Sequence, residues 1–402
     1  MTSNRFDITR GQVRAWTILA RAHTGGRVAS TYLLYGPEGV GAWALAVEFA
    51  ALLNCESPLG TPDQPENRRP CGACRACHAI LGLNFEGLHL LVPIPPYRVS
   101  GEGDEGEAPS GSSKKERDLI ELSNDVIELK RREPFALLDR TRQMSIPIEL
   151  AREVKRHLAI RAQAGITRVV LFYQMESMRL ASADALLKMI EEPPADTVII
   201  LTAIRPEGLL PTVLSRAQKV RLDPLPESMI VSYLKERYSI PEPTALQLSR
   251  VCERSLGRAI AAIPPADGEG ADPRPVALMM FKTLLAEPVT EVAAQMHELL
   301  DFKDRGAAEN LIKLWQSFVR DCAYLSATSD ETNLVNVDFQ SEIRELAPRF
   351  SNPAIVERIV NTTKNTLADL TLNVHIQSAL VAMALKLKAD LEAGRANGPV
   401  GT

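Results

Sequence analysis

A glycine-rich segment near the start of the chain has the spacing of a phosphate-binding loop but lacks the two residues that carry its chemistry. Its glycines are Gly36, Gly39 and Gly41. The pattern G-x-x-x-x-G-K-[ST] needs a lysine, which reaches the β- and γ-phosphates, and a hydroxyl, which binds Mg²⁺. Ala42 and Trp43 stand at those two positions and can do neither. The segment therefore predicts a nucleotide-binding fold that has lost its own hydrolytic chemistry, with Trp43 large enough to fill the space of a phosphate.

Four of the six cysteines form a second group with the spacing of a metal site. They are Cys55, Cys71, Cys74 and Cys77. In a cytosolic chain, closely spaced cysteines are typical of metal ligands rather than disulfides, and four thiolates fit tetrahedral Zn²⁺. Four protein ligands leave no open position for water, so the predicted zinc is structural. The alternative is a reduced cysteine cluster without a metal.

Length and composition predict a soluble protein of two or three domains. The chain has 402 residues, of which 45% are apolar and 24% charged, which is ordinary for a globular protein. No run of about 18 apolar residues is present, and the first residues lack the apolar stretch of a secretory signal. We therefore expect a cytoplasmic protein. A net charge of -4 disfavours a free-standing nucleic-acid binder, although it permits DNA contact within a larger assembly.

Strand and helix patterns alternate through the first half of the chain. Strand patterns lie at 32–35, 88–92, 167–173 and 197–202, and helical patterns at 13–22, 42–53, 147–157 and 181–192. This alternation predicts an α/β domain with a parallel sheet. After Pro226 the patterns are helical only, with 228–238 and 243–263 first, then 276–286, 289–300, 307–325, 342–350 and 354–391.

A long insertion separates the second and third predicted strands. Residues 97–115 are acidic and glycine-rich and predict a disordered surface loop. Residues 114–142 are highly charged and predict a helix. Within it, Lys130, Arg131 and Arg132 are interpreted as a solvated helix face rather than as a specific DNA contact.

Three stretches make the chain resemble the bacterial clamp-loader family of AAA+ proteins. They are the cysteine module that follows the degenerate P-loop helix, the block ALLKMIEEPP at 185–194, and LLPTVLSRA at 209–217. The resemblance covers roughly residues 10–225. It implies an AAA+ α/β domain at 1–225 with an inserted zinc module at 55–77. It also implies a small helical lid at 226–264 and an all-α collar for oligomerisation at 273–402.

Within that family, the resemblance implies the non-hydrolysing delta prime group rather than the gamma/tau ATPase group. The family's Mg²⁺-binding carboxylates, polar sensor and sensor arginine fall at Tyr173 with Gln174, at Ala203 or Ile204, and at Gly257. Glu176 and Arg258 lie nearby but out of register. Every element needed for hydrolysis in cis is thus lost or displaced.

One functional residue of the family is kept. Ser215 and Arg216 stand where the family has Ser-Arg-Cys, with Ala217 replacing the cysteine. In the family, this arginine reaches the ATP of the neighbouring subunit, where such a finger neutralises charge on the γ-phosphate. The resemblance therefore implies that Arg216, with Ser215, acts in trans. The simpler alternative is a surface salt bridge.

The resemblance implies a delta prime-like subunit of the DNA polymerase III clamp loader, which helps to load the sliding clamp onto primed DNA without hydrolysing ATP itself. The implied partners are gamma/tau ATPase subunits, the delta subunit, the sliding clamp and primer–template DNA. One alternative is a divergent gamma/tau-type ATPase, which would need replacements for the lost lysine and both carboxylates. Another is a zinc-module interaction protein unrelated to replication.

Overall fold

In the computed structural model of this chain, the polypeptide forms two compact units, Met1–Ala262 and Ile263–Thr402. The structure describes residues 11–95, 111–138, 144–160, 165–178, 189–263, 272–300, 302, 304–331, 334–371 and 374–396. The lid predicted at 226–264 lies almost wholly within the first unit, and the collar predicted at 273–402 lies within the second.

A five-stranded parallel sheet forms the centre of the first unit. Its strands are β1 (Thr31–Tyr35), β2 (Leu88–Leu91), β3 (Arg168–Phe172), β4 (Thr197–Ala203) and β5 (Gln218–Arg221). They lie in the order β2-β3-β4-β1-β5, so that β1 pairs with both β4 and β5. The parallel sheet is confirmed. Strand β5 was not predicted. Only Val220 of its four residues is buried, so the strand lacks the apolar run that marks the other four.

Nine helices of the first unit are described. They are α1 (Val13–Thr24), α2 (Ala42–Leu53), α3 (Arg75–Leu81), α4 (Gly111–Arg132), α5 (Ile148–Ala159), α6 (Pro211–Arg216), α7 (Glu227–Tyr238), α8 (Glu242–Val251) and α9 (Leu256–Ala261). Short 3₁₀ turns occur at Pro65–Asn67, Met175–Ser177 and Pro206–Gly208. The helix predicted at 181–192 lies mostly outside the described residues.

Helix α2 begins where the glycine-rich turn ends. Gly41 precedes it with φ 102° and ψ 25°, a left-handed conformation that glycine adopts without strain. Apart from Glu48, which pairs with Arg69 at 2.8 Å, the helix is apolar, and residues 43–52 are buried. The Phe49 ring lies 5.4 Å from that of Tyr32, centroid to centroid, which seats α2 on one face of the sheet. The other face packs on α5 through Leu150, Val154 and other buried side chains.

The insertion differs from its prediction at both ends. Helix α4 begins at Gly111, so the last residues of the predicted disordered loop are helical instead. The helix ends at Arg132, and residues 133–138 continue as turn and irregular chain, so the predicted helix to residue 142 was too long. Glu133 and Pro134 are buried at that helix end, and proline disfavours helical geometry in the residue before it. Residues 96–110 and 139–143 lie outside the described part of the chain.

Residues 226–263, for which the predicted name "lid" is kept below, contain one more helix break than was predicted. The pattern at 243–263 reads as one helix, but the structure separates α8 from α9. Glu253 and Arg254 both have left-handed backbones, with φ 54° and 57°, which ends the first helix. Ser255 then caps the second, because its Oγ accepts a hydrogen bond from the Arg258 amide.

The described part of the second unit is helical. Its helices are α10 (Pro273–Ala286), α11 (Val289–Leu299), α12 (Arg305–Thr328), α13 (Gln340–Leu346), α14 (Pro353–Thr371) and α15 (Ile376–Ala396), with 3₁₀ turns at Val337–Phe339 and Ala347–Phe350. The helix predicted at 354–391 is two helices. An aromatic cluster forms the core, in which Phe281 lies 5.8 to 6.0 Å from the rings of Trp315, Phe318 and Phe350. Within the described residues, no helix is long and apolar enough to cross a bilayer.

Candidate functional site

The carboxyl ends of three neighbouring strands bring the predicted nucleotide-site residues together. The glycine-rich turn follows β1, Tyr173 and Gln174 follow β3, and Ile204 follows β4. Ligands of open α/β sheets bind at this edge. A cavity lies there, lined by Gly36, Gly39, Gly41 and the other residues named in this paragraph, among others. Its volume is about 30 Å³, which is room for about two water molecules.

Two aromatic side chains fill the positions of the missing polar groups. Trp43 is 2% exposed and Tyr173 is 6% exposed. Their rings meet edge to face, with centroids 5.2 Å apart and planes at 76°, a favourable geometry for an aromatic pair. A packed aromatic contact thus occupies the positions predicted for the Mg²⁺-binding hydroxyl and one of the carboxylates of a working P-loop ATPase.

Lys130 lies in this cavity, and the interpretation of it as part of a solvated helix face was wrong. Its side chain is 2% exposed. The ammonium Nζ donates a hydrogen bond to the Ala136 carbonyl at 2.5 Å and lies 4.2 Å from the centroid of the Tyr173 ring. Burial lowers the pKa of Lys130 to about 7, against the opposing charges of Glu38 and Glu133.

A sequence signal for this burial was present. Among the side chains of α4 that are described, from 119 to 132, the buried ones are Leu119, Ser123, Val126 and Lys130, at the spacing of one helix face. A lysine at the end of such a stripe belongs to the buried face. Arg132, two residues further on, has a side chain that is 77% exposed, so the solvated interpretation holds for that arginine.

The segment that follows α4 closes the glycine-rich turn from outside. Phe135 is 2% exposed, and its ring lies directly against Gly41. A Cβ at Gly41 would stand 2.7 Å from Phe135 Cε1. The aromatic ring therefore covers the turn whose amides would otherwise face a phosphate.

The lid also packs directly on the turn. The Gly257 amide donates to the Gly39 carbonyl at 3.0 Å, and Ser255 Oγ donates to the Glu38 carbonyl at 2.6 Å. A Cβ on Gly257 would stand 2.4 Å from the Phe135 carbonyl oxygen. The position of the family's sensor arginine is therefore a backbone contact. Arg258, the nearest arginine, pairs with Glu253 at 2.7 Å.

The displaced polar residues at the strand ends bind the backbone. Glu176 Oε1 accepts a hydrogen bond from the Ile204 amide at 2.7 Å. Thr202 Oγ1 accepts one from the Gln174 amide at 2.9 Å. These bonds join the ends of β3 and β4, so Glu176 and Thr202, which lie close to the predicted carboxylate and sensor positions but out of register with them, bind the backbone instead.

A buried carboxylate ties the end of α4 to the lid helix α7. Glu133 is 8% exposed. It accepts hydrogen bonds from the Tyr238 hydroxyl at 2.7 Å, the Tyr233 hydroxyl at 2.9 Å and Arg237 Nε at 3.0 Å. Burial and the Glu133 carboxylate raise the pKa of both tyrosines, with burial the larger cause. No local sequence pattern indicated this cluster, because Tyr233, Arg237 and Tyr238 lie 100 or more residues from Glu133 along the chain.

The four predicted zinc ligands converge after the end of α2. The sulfur atoms of Cys55, Cys71, Cys74 and Cys77 all lie within 4.8 Å of one another. Tetrahedral zinc with Zn–S bonds of about 2.3 Å requires sulfur separations of roughly 3.8 Å, and the Cys71–Cys77 separation is 3.9 Å. The donor set and its dimensions therefore fit zinc.

Backbone amides also point at these sulfurs. The Cys71 amide donates to Cys55 Sγ at 3.2 Å, and the Cys74 amide donates to Cys71 Sγ at 3.2 Å. Although burial acts to raise it, hydrogen bonds from the Ala73 and Cys74 amides lower the pKa of the Cys71 thiol to about 7. Burial raises the pKa of Cys77. Amide donors favour the thiolate form, which is the form that binds a metal.

Arg216 lies at the surface, at the end of α6. Its side chain is 43% exposed and its guanidinium lies 3.4 Å from Glu191, which is 40% exposed. The guanidinium also donates to the Thr212 carbonyl at 3.1 Å and to Ser215 Oγ at 3.4 Å. A surface pair of this kind contributes roughly 0–1 kcal/mol. The arginine is thus held weakly, and it can leave Glu191 at little cost.

The fold defines an α/β protein of the P-loop AAA+ type, with Ala42 and Trp43 at the positions where a P-loop has its lysine and its hydroxyl. A sequence profile of the family described as "DNA polymerase III, delta subunit" matches residues 11–226, more than half of the chain. The chain therefore belongs to that family, and within it the chain is delta prime-like, which confirms the resemblance.

Three curated relatives illustrate the relationship. The chain is 32% identical to the DNA polymerase III subunit delta′ of Pseudomonas aeruginosa over 52% of this chain and 47% of that protein. It is 26% identical to subunit delta′ of Escherichia coli over 60% of this chain and 57% of that protein. It is 28% identical to subunit tau of Salmonella typhimurium over 64% of this chain and 33% of that protein. The matches span about half the length of the delta′ relatives.

Proposed function

We propose that this chain is a non-hydrolysing, delta prime-like subunit of the DNA polymerase III clamp loader. It assembles with gamma/tau ATPase subunits and the delta subunit, and the assembly places the sliding clamp on primer–template DNA. The observation that carries the proposal is the site itself. A degenerate glycine-rich turn with Ala42 and Trp43 faces a cavity of about 30 Å³, while Arg216 remains exposed.

The lost chemistry supports the absence of ATP hydrolysis. Phosphoryl transfer depends on positioning the phosphates and on neutralising their charge. Ala42 supplies no charge, and Trp43 and Tyr173 supply no Mg²⁺ ligands. Lys130 is the one observation that favours the divergent ATPase, because it places a cation in the same cavity. Its ammonium is bonded to Ala136, so a catalytic role would require it to break that bond.

Arg216, with Ser215 beside it, supports a role in trans. An arginine finger has to be exposed and free to leave its resting partner, and a half-exposed pair with Glu191 meets both requirements. On a neighbouring ATPase subunit, the guanidinium would neutralise charge on the γ-phosphate as the bond to the leaving group breaks. This chain then activates a site that it does not contain.

The zinc site has a structural role in this proposal. Cys55, Cys71, Cys74 and Cys77 would hold Zn²⁺ and join the end of α2 to the start of α3. Bound zinc supplies folding energy through its four bonds. No step of the proposed activity involves the metal.

Reconstitution with the gamma/tau, delta and clamp proteins of the same organism tests the proposal. Arg216→Ala should lower ATP turnover at the neighbouring site by about 10³-fold and reduce clamp loading, while the assembly still forms by size-exclusion chromatography. Arg221→Ala is the matched control, because Arg221 is 65% exposed and lies 3.7 Å from Asp223. The isolated chain should show no ATP turnover.

Two results would contradict the proposal. Turnover by the isolated chain, removed by Lys130→Met, would establish the divergent ATPase. Equal rates for the assemblies containing Arg216→Ala and Arg221→Ala would show that Arg216 is a surface pair only.

A further inference from the structure

Residues 119–138, named the plug segment here, occupy the site from the outside. They comprise most of α4 and the irregular chain that follows it. We infer that the plug segment is a built-in substitute for the nucleotide: it closes the site and holds the lid on the α/β core whether or not ATP is present.

The first step of the argument is that the plug segment contacts the core where a phosphate would bind. The Phe135 ring lies so close to Gly41 that a Cβ on Gly41 would stand 2.7 Å from Phe135 Cε1. The Lys130 ammonium lies 4.2 Å from the centre of the Tyr173 ring. Both side chains are 2% exposed. The remaining cavity, about 30 Å³, is too small for any nucleotide.

The second step is that the same segment binds the lid. The Glu133 carboxylate accepts hydrogen bonds from three side chains of α7, namely Tyr233, Arg237 and Tyr238. The Phe135 ring meets the Tyr233 ring edge to face, with centroids 5.8 Å apart. Arg237 also donates to the Arg132 carbonyl at 2.6 Å. One short segment therefore bonds to both walls of the site, as a ligand does when it holds two closing domains together.

The third step is that the two walls also touch each other. Gly257 of the lid donates to Gly39 of the turn at 3.0 Å, and Ser255 donates to Glu38 at 2.6 Å. A nucleotide entering the site would have to break these bonds and displace Phe135. The affinity of a ligand falls by the fraction of molecules in the open state, so a closed site held by the chain's own contacts excludes ATP.

This inference is separate from the proposed function. The loss of the lysine and carboxylates accounts for the absence of hydrolysis. The plug segment accounts for a lid position that ATP cannot change. The inference would stand even if Arg216 had no role in trans.

Hydrogen exchange of the full chain, followed by mass spectrometry, tests the inference. The releasing variant is Glu133→Gln with Phe135→Ala. The matched control is Asp125→Asn with Leu129→Ala, which makes the same kinds of change on the exposed side of α4. Exchange in peptides of the glycine-rich turn and of the start of α9 should rise about tenfold or more in the releasing variant, since a hydrogen bond to a charged group is worth about one factor of ten.

The controls make each outcome decisive. Peptides of β1 and β4 should exchange as in the wild type, which shows that the core is folded. If the releasing variant loses that protection, Tyr233→Phe with Tyr238→Phe replaces it, and the start of α9 should then exchange about tenfold faster. Exchange equal to that of the control variant would overturn the inference.

Hydrogen exchange in the presence of millimolar Mg-ATP is an independent test of the inference. In the wild type, the exchange of the glycine-rich turn should be the same with and without the nucleotide, because the plug segment already covers that turn. Protection of the turn by Mg-ATP in the wild type would show that the site opens to nucleotide, and the inference would fail.

Discussion

The buried position of Lys130 predicts an unusual dependence of stability on pH. Its pKa is lowered from 10.5 to about 7 by burial, with the nearby charges of Glu38 and Glu133 acting in the opposite direction. Between these two pKa values the unfolded chain binds a proton that the folded chain does not, so the free energy of unfolding rises with pH. Below about pH 7 the folded state carries the full cost of a buried ammonium.

The substitution Lys130→Met isolates this effect, because methionine fills a similar volume without a charge. Each unit between the two pKa values is worth about 1.4 kcal/mol, so the stability of the variant relative to the wild type should fall by about 4 kcal/mol between about pH 6 and pH 10. The free energy of unfolding of the variant, relative to that of the wild type, is therefore highest at the acid end of this range. Loss of the bond to Ala136 and of the contact with Tyr173 lowers the whole curve without changing its slope in pH.

Urea unfolding in a Trp315→Phe background provides the assay. Trp16 and Trp43 then remain, and both belong to the first unit, so tryptophan fluorescence reports on that unit alone. Lys155→Met is the control, since Lys155 is exposed on α5. The reasoning is refuted if the free energy of unfolding of Lys130→Met, relative to that of the wild type, changes with pH no more than that of Lys155→Met does. It is also refuted if this relative free energy rises with pH.

Three further predictions concern other parts of the chain. Purified protein should contain one zinc ion by elemental analysis, and Cys77→Ala should lose it and unfold at a lower temperature; equal zinc content would contradict the assignment. Gly257→Ala should lower the stability of the first unit by about 1–3 kcal/mol, because its Cβ would stand 2.4 Å from the Phe135 carbonyl oxygen. Urea unfolding measures this loss. Gly208→Ala is the control, because a Cβ on Gly208 would stand 3.8 Å from its nearest neighbour, an ordinary contact distance. Asp321→Ala should destabilise the second unit by about 3 kcal/mol or more, because it leaves the buried amides of Val335 and Asn336 without their acceptor. Hydrogen exchange of peptides from α12 across a urea series reports the unfolding of that unit, and an unchanged midpoint would show that these bonds are not needed.

The residues that lie close together in sequence were the predictable part of the site. The turn from Gly36 to Gly41, the start of α2 at Ala42 and the convergence of Cys71 with Cys77 all follow from local spacing, since backbone geometry over a few residues is set by glycine, capping and helix periodicity. The burial of Trp43 at the same place follows from its size and position. These features needed no knowledge of distant contacts.

The parts that were not predicted depend on contacts between distant segments. Lys130 was misinterpreted because it was judged together with the charged residues Arg131 and Arg132. Its helical spacing from Leu119 and Val126, which places it on the buried face, was not used. The hydrogen bond from Tyr233 to Glu133 joins residues 100 positions apart, and the local sequence around either residue does not indicate a contact with the other. The break between α8 and α9 comes from two left-handed residues, Glu253 and Arg254, whose types do not require that conformation.

The aromatic contact between Trp43 and Tyr173 bears on how readily the residues of a working P-loop could be introduced at this site. Both side chains now belong to the hydrophobic core, so Trp43→Thr leaves a cavity and Ala42→Lys places a second cation beside Lys130. Large-to-small changes of this kind cost about 3–5 kcal/mol, a large share of the stability of a typical domain. Each single step back is therefore harmful before any benefit is reached. Under the proposed function, the packing of Trp43 and Tyr173 therefore sets a barrier in folding stability between this chain and one that hydrolyses ATP.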